Sequence, residues 1–176
     1  MREVYLGYVG DYKIRPRSKL VNAYLADTNL TGVNLTDANL TNANLYASNL
    51  TDANLTNANL SGANLGNAQL LRTNLTGANL SDARMPEANL TGANLTGADL
   101  IDADVRNVYL NESNLSGANL FYANLAGANL SGANLSGANL RGVNLTDALL
   151  VGANLTNVDL TNAVLTRAVM PKGFHA

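Results

Sequence analysis

Residues 126–140 read AGANLSGANLSGANL, which is three copies of one five-residue repeat. Each copy ends in Leu, with Asn directly before the Leu and Ala two residues before it. The same register runs from residue 18 to residue 172: of 31 central positions between Leu20 and Met170, 28 are Leu. Ala occupies the position two before the centre in 22 of the 31 repeats, and Asn or Asp occupies the position directly before it in 23. No insertion or deletion breaks the count.

A period of five residues is incompatible with a regular helix or a straight strand. On an α-helix, five residues turn by about 500°, so successive Leu side chains would not share a face. On a straight strand, an odd period places successive Leu side chains on opposite faces. The chain must therefore bend once in each repeat. We expect the central Leu, and the Ala two residues before it, to point inward, and the other three positions to point outward.

This repeat, A(N/D)Lxx, is seen clearly at residues 38–40, 93–95 and 138–140 and resembles that of the pentapeptide repeat family. The resemblance covers nearly the whole chain. It implies an all-β fold, a right-handed quadrilateral parallel β-helix (solenoid) with about 7–8 coils of about 20 residues. We divide the chain into an N-terminal cap segment at 1–17, the β-helix at 18–172 and a C-terminal tail at 173–176. The alternating pattern of the cap predicts a hairpin or an extended segment, with a turn at Gly10-Asp11.

One outward column supports four sides. Taking the residue after the central position in every fourth repeat gives a column that is entirely hydroxylic, whereas taking it in every third repeat gives none. The members of this column are Thr36, Thr56, Thr76, Thr96, Ser116, Ser136 and Thr156.

Length and composition indicate a single domain without disulfides. The chain has 176 residues and no Cys, which also excludes thiolate metal sites and Cys nucleophiles. No secretory signal is evident at the N-terminus, so we expect a cytoplasmic protein as given, with a mature exported form left open. No run approaches the roughly 20 apolar residues of a membrane span, and we expect no membrane association.

The residues give little support for catalysis. The only His is His175, one residue from the end, and the many Ser and Thr residues have no neighbouring base. We therefore expect no enzyme activity and no cofactor or metal. The remaining candidates form an acidic patch, interpreted either as a cation site or raised-pKa acid, or as a solvated patch offset by Arg84 and Arg106. The members of this acidic patch are Asp82, Glu87, Asp99, Asp102 and Asp104.

The repeat departs from its pattern in two internal regions. One is residues 82–87, which include Pro86, a residue without the N–H that a ladder strand would donate. The other is residues 101–112, where Val105 removes volume from a central position and Val108 adds volume where Ala is usual. Such departures often mark function or strain.

Outward apolar residues near these departures form a candidate partner patch. Ile101 and Phe121 occupy the same outward column four repeats apart, and Tyr122 is adjacent. At the C-terminal end, Val164 and Val169 replace the usual Asn, and Phe174 follows the last repeat. We interpret these three as end contacts, either within a cap or between two rod ends.

Three functions follow as hypotheses. The first is a non-enzymatic scaffold that binds a protein partner through the patch. The second, implied by the resemblance, is a DNA mimic that binds or inhibits a type II topoisomerase, although the repeats carry only 11 acids against four bases from Leu20 to Thr166. The third is an ice- or surface-binding ladder of Thr and Ser. We expect a protein partner, no direct nucleic-acid binding, and a monomer or an end-to-end homodimer.

Overall fold

The computed structural model describes residues 8–9 and 12–174. The described part begins with two short strands, β1 (Tyr8–Val9) and β2 (Tyr12–Lys13), which pair as an antiparallel hairpin. The expected turn at Gly10-Asp11 lies outside the described residues, as do residues 1–7, 175 and 176. From residue 14 to residue 174, the chain forms isolated β-bridges but no further strand of two or more residues and no helix.

The repeats form a four-sided parallel β-helix, as the sequence predicted. Isolated parallel bridges join each repeat to the fourth repeat after it, from Lys19↔Asn39 to Leu149↔Val169. Each bridge joins one coil to the next through a pair of backbone hydrogen bonds. For example, the N–H of Leu35 donates to the carbonyl oxygen of Asn54 at 2.7 Å, and the N–H of Asn54 donates to the carbonyl oxygen of Val33 at 2.9 Å. Four repeats therefore complete one coil.

Each repeat contributes a side of three residues and a corner of two. We number the sides from the first coil and give each corner the number of the side that precedes it. Residues 20 positions apart occupy the same place in successive coils and form a column along the rod. The sides begin with residues 18–20 (first), 23–25 (second), 28–30 (third) and 33–35 (fourth), and the corners with residues 21–22, 26–27, 31–32 and 36–37. The second side thus lies opposite the fourth.

Every corner bends the chain through a left-handed residue. The second corner residue has φ between +52° and +71° at every repeat from residue 17 to residue 167. At most corners the N–H after it donates to the carbonyl of the central residue, as in Ala23 to Leu20 at 3.1 Å. This is the geometry of a turn with positive φ at its second central residue, which favours Gly, Asn and Asp. The sequence preference at this position therefore comes from the bend.

The Asn before each central Leu has a structural function of its own. Its side-chain oxygen accepts the N–H of the first corner residue, as from Thr36 to Asn34 at 3.0 Å, and the hydroxyl of Thr36 donates to the same oxygen at 2.7 Å. The same N–H to Asn contact recurs along the rod, for example from Thr146 to Asn144 at 3.0 Å. Without this acceptor, the corner N–H would have no partner in the backbone ladder. Asn and Asp recur here because their short side chains reach that donor.

Within the repeats, the interior is formed mainly by the central residues and the residues two before them. The central Leu side chains from Leu20 to Leu150 are at most 2% exposed. Val105 and Val108 are 1% and 0% exposed, so the smaller central residue and the larger neighbour both pack inside. Each buried hydroxyl in the Ala position is hydrogen-bonded, as in Thr73, which donates to the carbonyl of Leu50 at 2.7 Å.

Pro86 does not interrupt the ladder, contrary to what the sequence suggested. It occupies the first corner position, where the N–H normally donates to the preceding Asn side chain and not to another coil. Here the residue before the central Met85 is Arg84, whose side chain has no oxygen to accept a corner N–H. Pro86 has no N–H to donate, so the substitution leaves no corner N–H unpaired here. The carbonyl of Pro86 still accepts the N–H of Asn67 at 3.0 Å. The coil passes through this departure unchanged.

The two ends of the rod differ. At the N-terminal end, Ile14 is 6% exposed and belongs to the core, and the hydroxyl of Tyr12 accepts the N–H of Tyr24 at 3.2 Å. In the last coil, Leu155 and Leu165 are only partly buried although they are central residues. The described chain thus covers the first coil but leaves the last one open.

Candidate functional site

The two internal departures from the repeat extend over the first three corners and the second and third sides. Arg84 and Asp104 are bridged neighbours on the second side. The corner before this side contains Ile101, Asp102, Phe121 and Tyr122, and the corner after it includes Pro86, Glu87 and Arg106. The opposite, fourth side has Asn in its bridge column from residue 34 to residue 154 and the hydroxylic column in its corner. The second and third sides are therefore variable in their bridge columns, and the fourth is uniform.

The candidate partner patch forms a single surface at the first corner. The rings of Phe121 and Tyr122 have centroids 4.3 Å apart and planes inclined by 59°. Ile101 lies one coil below Phe121 in the same column, since the corners stack coil upon coil. Tyr122 is 57% exposed, whereas Ile101 and Phe121 are half-buried. The structure brings all three residues together.

Tyr122 has an unusual backbone conformation for an aromatic residue. Its φ of +56° lies in the left-handed region, where bulky side chains are rare and a non-Gly residue costs about 1–2 kcal/mol. At the other positive-φ corner positions of the described chain, Gly, Asn, Asp, Glu, Ala and Arg are found. A strained aromatic residue that exposes most of its ring adds little to folding, and such strain is often retained at functional sites.

Gly142 makes room for the Tyr122 ring, a contact that the sequence reasoning missed. A Cβ at Gly142 would lie 2.5 Å from ring atoms Cδ1 and Cε1 of Tyr122, closer than any real contact allows. The ring therefore lies over the backbone of the next coil. The signal in the sequence is the pairing of a ring at the second corner position with Gly at the same position one coil later.

The candidate acids do not form one cluster. Asp82 and Asp102 stack in the first corner, one coil apart, and both are exposed. Asp99 lies on the first side, where its side chain accepts the N–H of Ile101 at 3.1 Å. Glu87 lies at the second corner, across the second side from the others. The predicted acidic patch is thus a stacked pair with three separate neighbours.

Asp104 forms an ion pair and not an acid with a raised pKa. Its two oxygens accept bonds from Nε and Nη2 of Arg106 at 2.7 and 2.8 Å. These hydrogen bonds hold the pKa of Asp104 below its usual range, and partial desolvation opposes them only in part. A carboxylate held in its charged form in this way is suited to a fixed surface contact and not to general acid chemistry.

A shallow groove of about 500 Å³ lies beside the second corner. Tyr109, which is 51% exposed, forms one wall, and Glu87 and three Asn side chains line the rest. The groove follows from the replacement of a bridge-column Asn by the larger Tyr.

The candidate end contacts lie on the open C-terminal coil. Val164 and Val169 are 46% and 45% exposed and form the last bridges, with Asn144 and Leu149. Phe174 is half-buried, and its N–H donates to the carbonyl of Pro171 at 3.1 Å. The two Val side chains face outward, and the exposed Leu149 extends the apolar surface.

The described residues contain neither a metal-binding cluster nor a membrane-spanning helix. Among residues 8–9 and 12–174, no group of three or more His, Asp or Glu could hold a metal ion. Within the same residues, no helix is long and apolar enough to span a bilayer.

Comparison with known proteins identifies the repeat. A family profile described as pentapeptide repeats (8 copies) matches residues 18–57, 53–92, 73–111, 98–137 and 138–171. HetL from the cyanobacterium Nostoc sp. strain PCC 7120, a pentapeptide repeat protein involved in heterocyst differentiation regulation, is 34% identical, with 92% of this chain and 84% of HetL covered and a TM-score of 0.44.

Two further solved structures are similar. A pentapeptide repeat protein from the thylakoid lumen of Arabidopsis thaliana is 33% identical over 57% of this chain and 70% of its own, with a TM-score of 0.56. Trypsin-treated QnrB1, a plasmid-mediated fluoroquinolone resistance protein, is 19% identical over 83% of this chain and 86% of its own, with a TM-score of 0.58, and shows the fold alone. No protein with a curated description matches. The profile match, which extends over residues 18–171, establishes that the chain belongs to the pentapeptide repeat family.

Proposed function

We propose that this protein is a non-enzymatic scaffold that binds a protein partner at the first corner, through Ile101, Phe121 and Tyr122. The observation that supports this most directly is the exposed, strained ring of Tyr122 packed against Phe121 at 4.3 Å. Tyr and Phe are enriched at protein interfaces, where their rings bury large areas at low entropic cost. Because the corners are fixed by the ladder, the rings are presented without reorganisation of the backbone.

Two other functions have less support from the surface. A DNA mimic needs dense negative charge, yet of the 11 acids from Leu20 to Thr166, five have an Arg nitrogen within 3.8 Å. A Thr and Ser ladder for ice or another surface would use the fourth corner. There the hydroxyl of Thr76 donates to Asn74 at 2.7 Å, and that of Ser81, in the first corner, donates to Asn79 at the same distance. The ladder therefore reflects a hydrogen bond that the repeat also makes elsewhere.

The proposed function is tested by affinity capture from the native cell followed by cross-linking. The bait is the full chain, and the test variant combines Phe121→Thr with Tyr122→Asn. Thr41 and Asn42 occupy the same two positions in an earlier coil, so the variant has residues that this corner already accepts. We expect a partner that cross-links at the first corner of the wild-type chain and is lost with the variant. Full retention of every partner by the variant would refute the proposal.

An end-to-end homodimer also remains a proposal, for the open C-terminal coil. The partly exposed Leu155 and Leu165 and the outward Val164 and Val169 support it, because a second copy would cover this apolar end. Light scattering at two concentrations tests it, with Val164→Asn and Val169→Asn combined as the variant. A wild-type mass equal to that of one chain at both concentrations would contradict the homodimer and indicate a monomer.

A further inference from the structure

Acids at the second corner position are often neutralised by an Arg one coil away. Nε and Nη2 of Arg72 donate to the two oxygens of Asp52, both at 2.8 Å. Arg167 binds Asp147 in the same way at 2.5 and 2.6 Å. In each case the two residues share a corner column and lie one coil apart. The stacking of the coils therefore provides a ready geometry for a two-bond contact between Arg and a carboxylate.

Among the described residues, Asp27, Glu87 and Glu112 at the same corner position also lack such an Arg, and Asp82 and Asp102 differ from them in lying one above the other. They stack acid on acid in the first corner, and within the described chain neither has an ion-pair partner. Coils are about 4.8 Å apart, a distance at which like charges repel even at the surface. No Arg of the described residues pairs with either acid as Arg72 pairs with Asp52. This arrangement is unfavourable for the isolated chain and favourable for an incoming cation.

The stacked acids adjoin the aromatic pair directly. Tyr122 is the next residue above Asp102 in the same column, and Ile101 and Phe121 form the neighbouring column. The first corner therefore presents an acidic lower part and an apolar upper part. The midpoint between Asp82 and Asp102 lies one and a half coils below Tyr122, or about 7 Å. An extended chain covers that distance in about two residues, and side chains two residues apart point to the same face.

We propose that the first corner docks an extended protein segment in which an Arg lies two residues from a large apolar residue, so that both side chains face the corner. The guanidinium lies against Asp82 and Asp102, in the role that Arg72 has beside Asp52, and the apolar side chain packs on Phe121 and Tyr122. This inference rests on the proposed function and adds the chemistry of the partner. Arg is specified because its planar fork matches a carboxylate with two bonds.

The test uses synthetic peptides and the full chain. The probe is a short peptide with a single Arg-Ala-Leu segment in a neutral background, and its control replaces Arg by citrulline, which keeps the shape and removes the charge. Binding is followed by amide chemical shifts in an NMR titration. We expect shifts at the first corner, centred on residues 82, 102, 121 and 122, and at least about tenfold weaker binding of the citrulline peptide.

Variants of the acids separate charge from folding. Asp82→Asn combined with Asp102→Asn should weaken the Arg peptide by about tenfold or more and leave the citrulline peptide unchanged. Asn occupies the same positive-φ column at Asn42, so the variant should fold. Asp27→Asn, at an isolated acid of the second corner, is the matched control and should have no effect.

Three results would overturn the inference: no shifts, shifts away from the first corner, or equal binding of both peptides. The outcome is also distinguishable from failure of the proposed function. If the natural partner is lost with the aromatic variant but retained with the Asp82 and Asp102 variant, the docking patch stands and the Arg assignment falls. If both variants retain the partner, the proposed function itself fails.

Discussion

Gly142→Ala should displace the Tyr122 ring without unfolding the coil. The new methyl group would collide with the ring at 2.5 Å, and the ring, being at the surface, can rotate away. Gly137→Ala is the matched control, because Gly137 also has φ of +67° but no atom lies within 4 Å of the place that its Cβ would occupy. Both variants impose the same left-handed strain on Ala. Only the first moves a side chain.

The expected magnitudes follow from strain and burial. Left-handed strain costs each Ala variant about 1–2 kcal/mol, offset by roughly 0.4–1 kcal/mol from the lower entropy of the unfolded chain. Tyr122 is 57% exposed, so only the smaller part of the side chain has contacts to lose. At about 25 cal/mol per Å², rotation of the ring away from Gly142 should cost at most about 1 kcal/mol more. For a chain of this size, that difference is about 2–4 °C in Tm.

The assay is thermal unfolding by circular dichroism, together with partner capture. We expect both variants to lie within a few degrees of each other, and only Gly142→Ala to lose the partner. If Gly142→Ala were more than about 2 kcal/mol less stable than Gly137→Ala, the ring would be a packed structural element, and the reasoning that it is free to bind would be wrong. Equal partner binding by both variants would contradict the functional part.

Three further predictions concern the rod itself. Leu95→Ala should cost about 3 kcal/mol in urea unfolding and Leu165→Ala less than half of that, because Leu95 is 0% exposed and Leu165 lies on the open coil; equal costs would contradict the asymmetry of the ends. Asn139→Ala should cost about 1–2 kcal/mol in the same assay, because it removes the acceptor of a corner N–H at 3.2 Å; a neutral effect would show that water replaces it. The hydrogen bonds from Arg167 lower the pKa of Asp147, so the pair stabilises the fold above the usual carboxyl pKa and loses this effect as the pH falls through the lowered value. The Tm difference from Asp147→Asn should therefore be present at pH 7 and shrink as the pH falls below the usual carboxyl pKa, and a constant difference would be inconsistent with the pair.

Sequence reasoning predicted the fold because the signal is steric and repeated. Inward Leu and Ala follow from a period of five residues, whereas the four sides were implied by the resemblance to the pentapeptide repeat family, and the bridges between residues such as Asn54 and Asn74 confirm them. The burial of both Val105 and Val108 was also predictable, since volumes must balance in a closed interior. These properties depend on spacing and size, which a sequence displays directly.

The surface was only partly predictable, because it depends on which residues stack. The positions of Ile101, Phe121 and Tyr122 in one patch follow from the four-repeat coil. The pairing of Asp104 with Arg106 depends on rotamers, and the space that Gly142 leaves for a ring depends on the lean of side chains toward the next coil. Pro86 was misjudged because the destination of corner N–H groups is not visible in the repeat alone.

The stacking of coils in steps of four repeats has a consequence for how such a surface evolves. A duplication or deletion of a single repeat preserves the register and the core, yet it rotates every later residue to the next side of the rod. An event of this kind between Asp102 and Phe121 would move the rings to a different corner from the acids. A gain or loss of four repeats keeps all columns in phase. Changes in length that conserve binding should therefore occur in whole coils, whereas changes that conserve only folding are free to occur in single repeats.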